Sequence, residues 1–176
     1  WVLALILAFM RASSVTVQTS SERLFEILYR ATPVETAEKL AWSFLALSFL
    51  LPGISVVFSF LQCLLLIAYL SCSLLPISFV ILLFLPSTGI IFILMAILSD
   101  PMCQTCLVPM ISDYVPMTHL GLAMSVINAF TLLFSGILTS LVGSILNTEP
   151  LHRAANRAIF FMMTISCIPF VLLFVL

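Results

Sequence analysis

One acidic residue, Asp100, stands inside a long apolar stretch of the sequence, where a carboxyl group could do chemistry. A charged side chain near the middle of a bilayer costs about 2.5 to 3.5 kcal/mol on insertion scales, and such residues usually face a bundle interior or a water-filled cavity. We therefore predict that Asp100 belongs to a proton or substrate site, where it exchanges a proton as its surroundings alternate between wet and dry. A protonated structural acid, bonded to a backbone carbonyl that Pro101 frees from helical pairing, is the alternative.

Two further polar side chains could work with Asp100. Gln104 lies one helical turn later, so the two share a face of a helix. Arg11 is the obvious counter-charge, although we favour the interpretation that it snorkels toward a membrane interface. Pro101 and Pro109 predict a bent or broken helix, and broken helices at mid-membrane expose backbone groups to transported solutes. A kink without function is equally common, because neighbouring groups can satisfy the freed carbonyls.

A second group of candidates combines small side chains with one amide. Small residues recur at intervals of four and seven along one segment; they are Gly121, Ser125 and Ala129, then Gly136, Ser140 and Ser144, with Gly143 close by, and Asn128 lies one heptad after Gly121. Small residues at such spacing let two membrane helices approach closely. We predict that they form a packing or gating seam, with Asn128 bonded across to a neighbouring helix; ordinary lipid-facing serines and glycines are the alternative.

The spacing of Cys103 and Cys106 matches the C-x-x-C pattern of redox and zinc sites. A structural zinc needs four ligands, and neither His119 nor His152 lies on the same helical turn. We interpret the two thiols as small hydrophobes and expect neither a metal nor a cofactor. The sequence also lacks G-x-x-x-x-G-K-[ST] and H-E-x-x-H, so an enzyme is not expected.

The elements that must position these residues are membrane helices. Of 176 residues, 63% are hydrophobic and 7% are charged, against about 25% charged in a soluble domain. No charge occurs between Lys39 and Asp100, a length of about three crossings at about 20 residues each. The net charge of −1 argues against nucleic acid as a partner. The composition therefore predicts an all-α membrane protein whose first partner is the lipid bilayer.

We predict about six transmembrane helices, which form a bundle at residues 1–19, 36–58, 61–84, 86–112, 120–146 and 158–176. Charged and apolar residues alternate with a helical period over 22–30, which is typical of a short helix on the membrane surface; a solvated loop helix is the plainer explanation. The polar second half of the first span should face protein or water rather than lipid. The connection near 59–62 is unusually short and uncharged. Because the chain opens within a predicted helix and without an initiator methionine, we expect it to be a fragment.

The segment 108–128 carries a resemblance to a known family. It reads Val108-Pro109, then a polar stretch to His119, then Leu120-Gly121-Leu122-Ala123. This resembles the connection between the tenth and eleventh helices of major facilitator superfamily transporters, in which V-P and a few polar residues lead to L-G-x-A. The order of helices, with Leu51-Pro52-Gly53 near the end of the second span, is also similar to the C-terminal half of that family.

The resemblance implies that this chain is half of a twelve-helix fold, with an N-terminal half as its partner. It implies secondary active transport of a small organic solute by alternating access, with a proton-linked symporter as the expected type. Asp100, Gln104 and Arg11 would then line the substrate and proton pathway. The membrane, whether plasma membrane or a lysosome-like organelle, stays open.

Two features depart from the family pattern. In many members the connection after the eighth helix carries an acid and basic residues, whereas residues 53–58 carry none. With six spans, five of the six basic residues lie near loops on the same side of the membrane. The positive-inside rule makes that side cytoplasmic, whereas the helix order of the family makes it external. We follow the family order. A transport-inactive membrane scaffold or regulatory protein derived from a transporter fold is therefore the alternative function.

Overall fold

Six α-helices form the part of the chain that the structure describes. The structure is a computed structural model and describes residues 1–30, 32–61, 64–84, 89–148 and 150–175. In chain order the helices are α1 (Val2–Tyr29), α2 (Pro33–Leu61), α3 (Leu64–Phe84), α4 (Gly89–Tyr114), α5 (Met117–Leu146) and α6 (Leu151–Leu173). No strand occurs among these residues, so the prediction of an all-α protein is confirmed.

Four of these helices, α1, α3, α5 and α6, are long and apolar enough to cross a membrane, by length and composition. They contain 28, 21, 30 and 23 residues, and a hydrocarbon core of about 30 Å needs about 20. This number refers to the described residues only, and both α2 and α4 contain side chains outside that set. By this measure the chain is an integral membrane protein built as a helical bundle.

The first predicted span and the predicted surface helix at 22–30 form one continuous helix, α1. No glycine or proline separates them, and the Ser21 hydroxyl donates to the carbonyl of Gln18 at 2.7 Å within the helix. At 1.5 Å per residue, 28 residues extend about 42 Å, which exceeds a core of about 30 Å. The charged last turns therefore lie beyond the hydrocarbon. Arg30 ends α1 in the left-handed conformation, with φ 53° and ψ 30°.

Reciprocal hydrogen bonds between Thr32 and Glu35 fix the start of α2. The Thr32 N–H donates to Glu35 Oε2 at 3.0 Å, and the Glu35 N–H donates to Thr32 Oγ1 at 3.3 Å, which is a capping box. These bonds from Thr32, the backbone N–H first, lower the pKa of Glu35 below its ordinary value. Because of this cap, α2 begins at Pro33 and not at the predicted residue 36.

The remaining boundaries differ from the predicted spans by up to seven residues. α2 continues to Leu61 through most of the predicted connection at 59–62, whose last residue lies outside the described set. The predicted start of the fourth span, Pro86, also lies outside it, and α6 begins at Leu151 and not at 158. α4 runs unbroken through its two prolines, so of the predicted bend or break the break is absent.

The most buried of the four candidate spans is α1. In its most apolar 18-residue window, 56% of the residues are buried, compared with 28% for α5. From Ala12 onward, half of its buried residues carry hydroxyl groups, and the others are apolar; the hydroxyl-bearing residues are Ser13, Ser14, Thr16, Ser20 and Ser21. The prediction that this half faces protein is confirmed.

Helix directions follow from the contacts between α1 and its neighbours. Arg11 lies beside Asn128 and Thr16 lies beside Thr139, so α1 and α5 run parallel. The Ser14 hydroxyl donates to the carbonyl of Ala96 at 3.3 Å, while Arg11 lies beside a later residue of α4, so α1 and α4 run antiparallel. These directions agree with successive membrane crossings, in which odd-numbered helices run one way and even-numbered helices run the other way.

The packing of the six helices has an internal symmetry. The symmetry appears when each of the first three helices is exchanged with the helix three places later, so that α1 becomes α4, α2 becomes α5 and α3 becomes α6. Under this exchange the α1–α5 contact corresponds to the α4–α2 contact, and the α1–α6 contact corresponds to the α4–α3 contact. It also converts α5–α6 into α2–α3 and leaves α1–α4 and α3–α6 unchanged. Among the described residues α1–α2 is the exception, since α4 and α5 are not comparably packed. The bundle can thus be divided into two three-helix units in which most helix pairs in contact correspond, although the extent of the corresponding contacts differs.

Candidate functional site

Asp100 lies eleven residues after the start of α4 and fourteen before its end, close to mid-helix. Its Oδ2 accepts a hydrogen bond from Gln104 Nε2 at 3.0 Å. The predicted sharing of one helical face by these two residues is therefore present as a direct bond.

Arg11 of α1 supplies the opposite charge. Its Nε lies 3.8 Å from Asp100 Oδ1, and the two side chains are 28% and 21% exposed. The antiparallel packing of α1 on α4 brings Arg11 to the level of Asp100. The favoured interpretation, in which Arg11 snorkels to an interface, gives way to the counter-charge alternative, because the guanidinium is directed toward two neighbouring helices.

Asn128 of α5 completes the cluster. Arg11 Nη1 donates to Asn128 Oδ1 at 2.5 Å, so the expected bond from Asn128 to another helix is made. Asn128 lies eleven residues after the start of α5. Three helices therefore contribute polar side chains to one point near their middles, and we name Arg11, Asp100, Gln104 and Asn128 the polar cluster.

The ion pair in the polar cluster is incomplete. Asp100 Oδ1 is buried and has no hydrogen-bond partner among the described residues, since 3.8 Å to Arg11 is too long for a hydrogen bond. An unpaired buried carboxylate oxygen is costly. A proton on Oδ1 removes the charge, and a shorter approach of Arg11 satisfies it. The site thus has two ways to complete its bonding.

An aromatic contact joins α1 to α5 near the polar cluster. The Phe9 and Phe134 rings stack with centroids 4.4 Å apart, and Phe130 stacks on Phe134 at 5.9 Å. Aromatic pairs in this geometry add about 0.5 to 1.5 kcal/mol beyond their buried area. The sequence analysis missed this stack; its only signal was the i, i+4 spacing of Phe130 and Phe134.

A cavity of about 430 Å³ lies between the first residues of α1, the end of α4 and the first turns of α5. Its walls are mostly apolar, with Tyr114 and His119 among the lining residues. Ile127, another lining residue, precedes Asn128 in the chain, but the side chains of the polar cluster are not among the residues that line the cavity. The sequence analysis missed the cavity, because its walls come from three segments that are far apart in sequence.

The glycines of the predicted seam do not pack closely within this chain. A Cβ atom added at Gly121, Gly136 or Gly143 would meet nothing within 4 Å among the described residues. Ser125 is exposed, and its hydroxyl donates to the carbonyl of Gly121 at 2.9 Å in the same helix. A seam on this face of α5 would need a neighbour from outside the chain.

Cys103 and Cys106 lie in the core as free thiols. Cys72 of α3 is also fully buried and lies within hydrogen-bond reach of the Cys103 thiol. Across the described residues, no three side chains of His, Cys, Asp or Glu lie together in a way that could hold a metal ion. These thiols fill space between α3 and α4 as small hydrophobes do.

Comparison with known proteins adds no family or function. No protein-family model matches the chain, and no curated protein or solved structure shows significant similarity to it.

Proposed function

We propose that this chain is the C-terminal half of a secondary transporter of the major facilitator type, which moves a small organic solute by alternating access and links transport to proton binding at Asp100. The observation that carries the proposal is the polar cluster: a charged pair near the middle of two apolar helices, with a third helix contributing an amide. Ionisable residues at such a depth mark substrate and proton pathways.

The exposure of the polar cluster supports a partner half. Arg11 and Asp100 are about one quarter exposed on the side of the bundle, and Asn128 is exposed. Hydrocarbon tails on that side would leave charged and amide groups without partners. Protein or a water-filled cavity has to cover this face, and the proposed N-terminal half provides both.

The exchange symmetry of the helices supports the same proposal. Each half of a major facilitator transporter contains two three-helix repeats of inverted topology. A repeat with an odd number of crossings places its successor upside down in the bilayer, and most of the helix pairs in contact correspond between the two three-helix units. The short segment around Val115, between α4 and α5, is the one that resembles the family in sequence.

The chemistry follows from the bonding of Asp100. When ionised, the carboxylate attracts Arg11 and keeps the guanidinium occupied. Protonation of Oδ1 removes that attraction. Arg11 then retains only its hydrogen bond to Asn128 and becomes available to an anionic or strongly polar group of a solute. Proton binding and solute binding are thereby linked at one point where three helices meet.

Uptake into liposomes tests the proposal. We would reconstitute the full-length protein, impose a pH gradient and measure radiolabelled dipeptides, sugars and organic anions in the wild type and in Asp100→Asn. Gradient-driven uptake of at least one solute class should fall to the level of protein-free liposomes in the variant, because an amide cannot exchange the proton.

Asp113→Asn is the matched control, since Asp113 is exposed at the end of the same helix and should leave uptake unchanged. Equal uptake by wild type and Asp100→Asn would remove the proton role. If the wild type takes up no solute of the panel, the transport-inactive scaffold becomes the better account.

A further inference from the structure

The outward face of α6 carries a stripe that changes from basic to apolar along the helix. Arg153 and Arg157 are exposed one turn apart, and Phe160 and Thr164 follow at i+7 and i+11, so all four lie on one face. The basic residues are nearest the start of α6. The stripe therefore has a cationic end at the membrane boundary and an apolar part that extends toward the membrane interior.

The two arginines have no counter-charge among the described residues, since the ion pairs there involve Arg11 and Arg23. Glu149, the nearest acid in sequence, lies outside the described set. Pro150 precedes α6 without a side-chain cap, so the first N–H groups add the positive end of the helix dipole to the same place. An anion would find both charge and donors there.

An open groove of about 490 Å³ lies next to the cationic end and is lined by Asn156, Arg157, Phe160, Phe161, Thr164 and Ile165. Its wall is apolar apart from Asn156, Arg157 and Thr164. Nine residues at 1.5 Å each give about 14 Å from Asn156 to Ile165, close to half of a hydrocarbon core of about 30 Å. The groove therefore extends over about the thickness of one leaflet.

We propose that this stripe binds a phospholipid with an anionic headgroup, its phosphate held by Arg153 and Arg157 and one acyl chain along the groove. A zwitterionic lipid would fit the groove but would lose the net attraction of two unpaired arginines. A free phosphate would gain the charges but would leave the groove unused. The site is independent of transport and of the polar cluster.

Competition between two lipids tests the site. The full-length protein, purified in detergent and stripped of lipid, would be offered equal amounts of dioleoylphosphatidylglycerol and dioleoylphosphatidylcholine, and the bound lipids would be counted by native mass spectrometry. Each basic residue near an anionic surface contributes about fivefold. The preference for phosphatidylglycerol should thus fall about 25-fold in the double variant Arg153→Gln/Arg157→Gln.

Two further variants separate the site from general charge. Arg23→Gln/Arg30→Gln removes the same number of positive charges from the α1 end and should keep the preference. Thr164→Trp fills the groove and should reduce the amount of phosphatidylglycerol bound while both arginines remain. Each variant must elute as wild type in size exclusion before it is compared.

Three results would overturn the proposal. The preference could persist in Arg153→Gln/Arg157→Gln, or it could fall equally in Arg23→Gln/Arg30→Gln. Alternatively, inorganic phosphate could displace phosphatidylglycerol completely, which would show a site for a free anion that needs no acyl chain.

Discussion

At the scale of single residues, the central feature is a carboxylate that is paired on one oxygen only. Gln104 satisfies Asp100 Oδ2, while Oδ1 faces Arg11 at 3.8 Å without a hydrogen bond. A charge pair with one short bond missing is less stable than a complete pair and therefore easier to open. Such an opening is what a carrier needs at the point where proton and solute compete.

The pairing of Arg11 with Asp100 predicts energetic coupling. Arg11→Gln and Asp100→Asn should each lower the melting temperature in detergent, since each leaves a partly buried group without its partner. The double variant should lose less than the sum of the two, with a coupling of about 0.5 to 3 kcal/mol, as is typical of contacting residues. Additive losses in thermal unfolding would show that the two side chains do not interact.

The sequence identified most of the polar cluster but not its pairing. Asp100 and Gln104 were found because i, i+4 spacing on one helix is readable from the sequence. Arg11 was assigned to an interface, since nothing in the sequence shows which helices are neighbours. The contact of Asn128 with Arg11 joins residues 117 positions apart, and no local pattern reports such a contact.

At the scale of elements, the glycines of the predicted packing seam on α5 have no neighbouring helix against them among the described residues. The small residues of α5 recur as a seam requires, yet the space beside Gly121, Gly136 and Gly143 is empty in this chain. Asn128, on the same face, contacts α1 and is still exposed. We interpret this face as the one that the proposed N-terminal half covers.

Gly136→Leu distinguishes a free face from a covered one. In this chain alone the variant should melt like wild type, because nothing lies within 4 Å of the added Cβ. In the full-length protein it should lower the melting temperature, since a larger side chain would meet the second half. Ala155→Leu is the control: Ala155 is fully buried, and overpacking there should cost about 1 to 3 kcal/mol in both forms.

If Gly136→Leu leaves the full-length protein unaffected, the glycines face lipid and the seam is refuted.

The existence of the helices was predictable from the sequence, because long apolar segments have few alternatives in a membrane. The ends of the helices were less predictable. The cap at Thr32 lengthened α2, and α1 continued through Ser20 and Ser21 because no glycine or proline interrupts it there. Both depend on local hydrogen bonds that hydrophobicity does not record.

At the scale of the whole molecule, the proposal depends on six crossings that bring three helix middles to one depth. Within the described ranges, four helices qualify as spans by length and composition. The parallel course of α1 and α5, and the antiparallel course of α1 and α4, agree with alternating crossings. The layout also places residues 32 and 148 on one side of the membrane and residue 113 on the other.

Labelling of single cysteines in sealed vesicles tests this layout most directly. In a variant of the full-length protein without its native cysteines, one cysteine would replace Thr32, Asp113 or Thr148, all of which are exposed. A membrane-impermeant maleimide should label positions 32 and 148 from the same side and position 113 only from the opposite side. Labelling of positions 113 and 148 from the same side would contradict the crossing of α5, and with it the mid-membrane depth of the polar cluster.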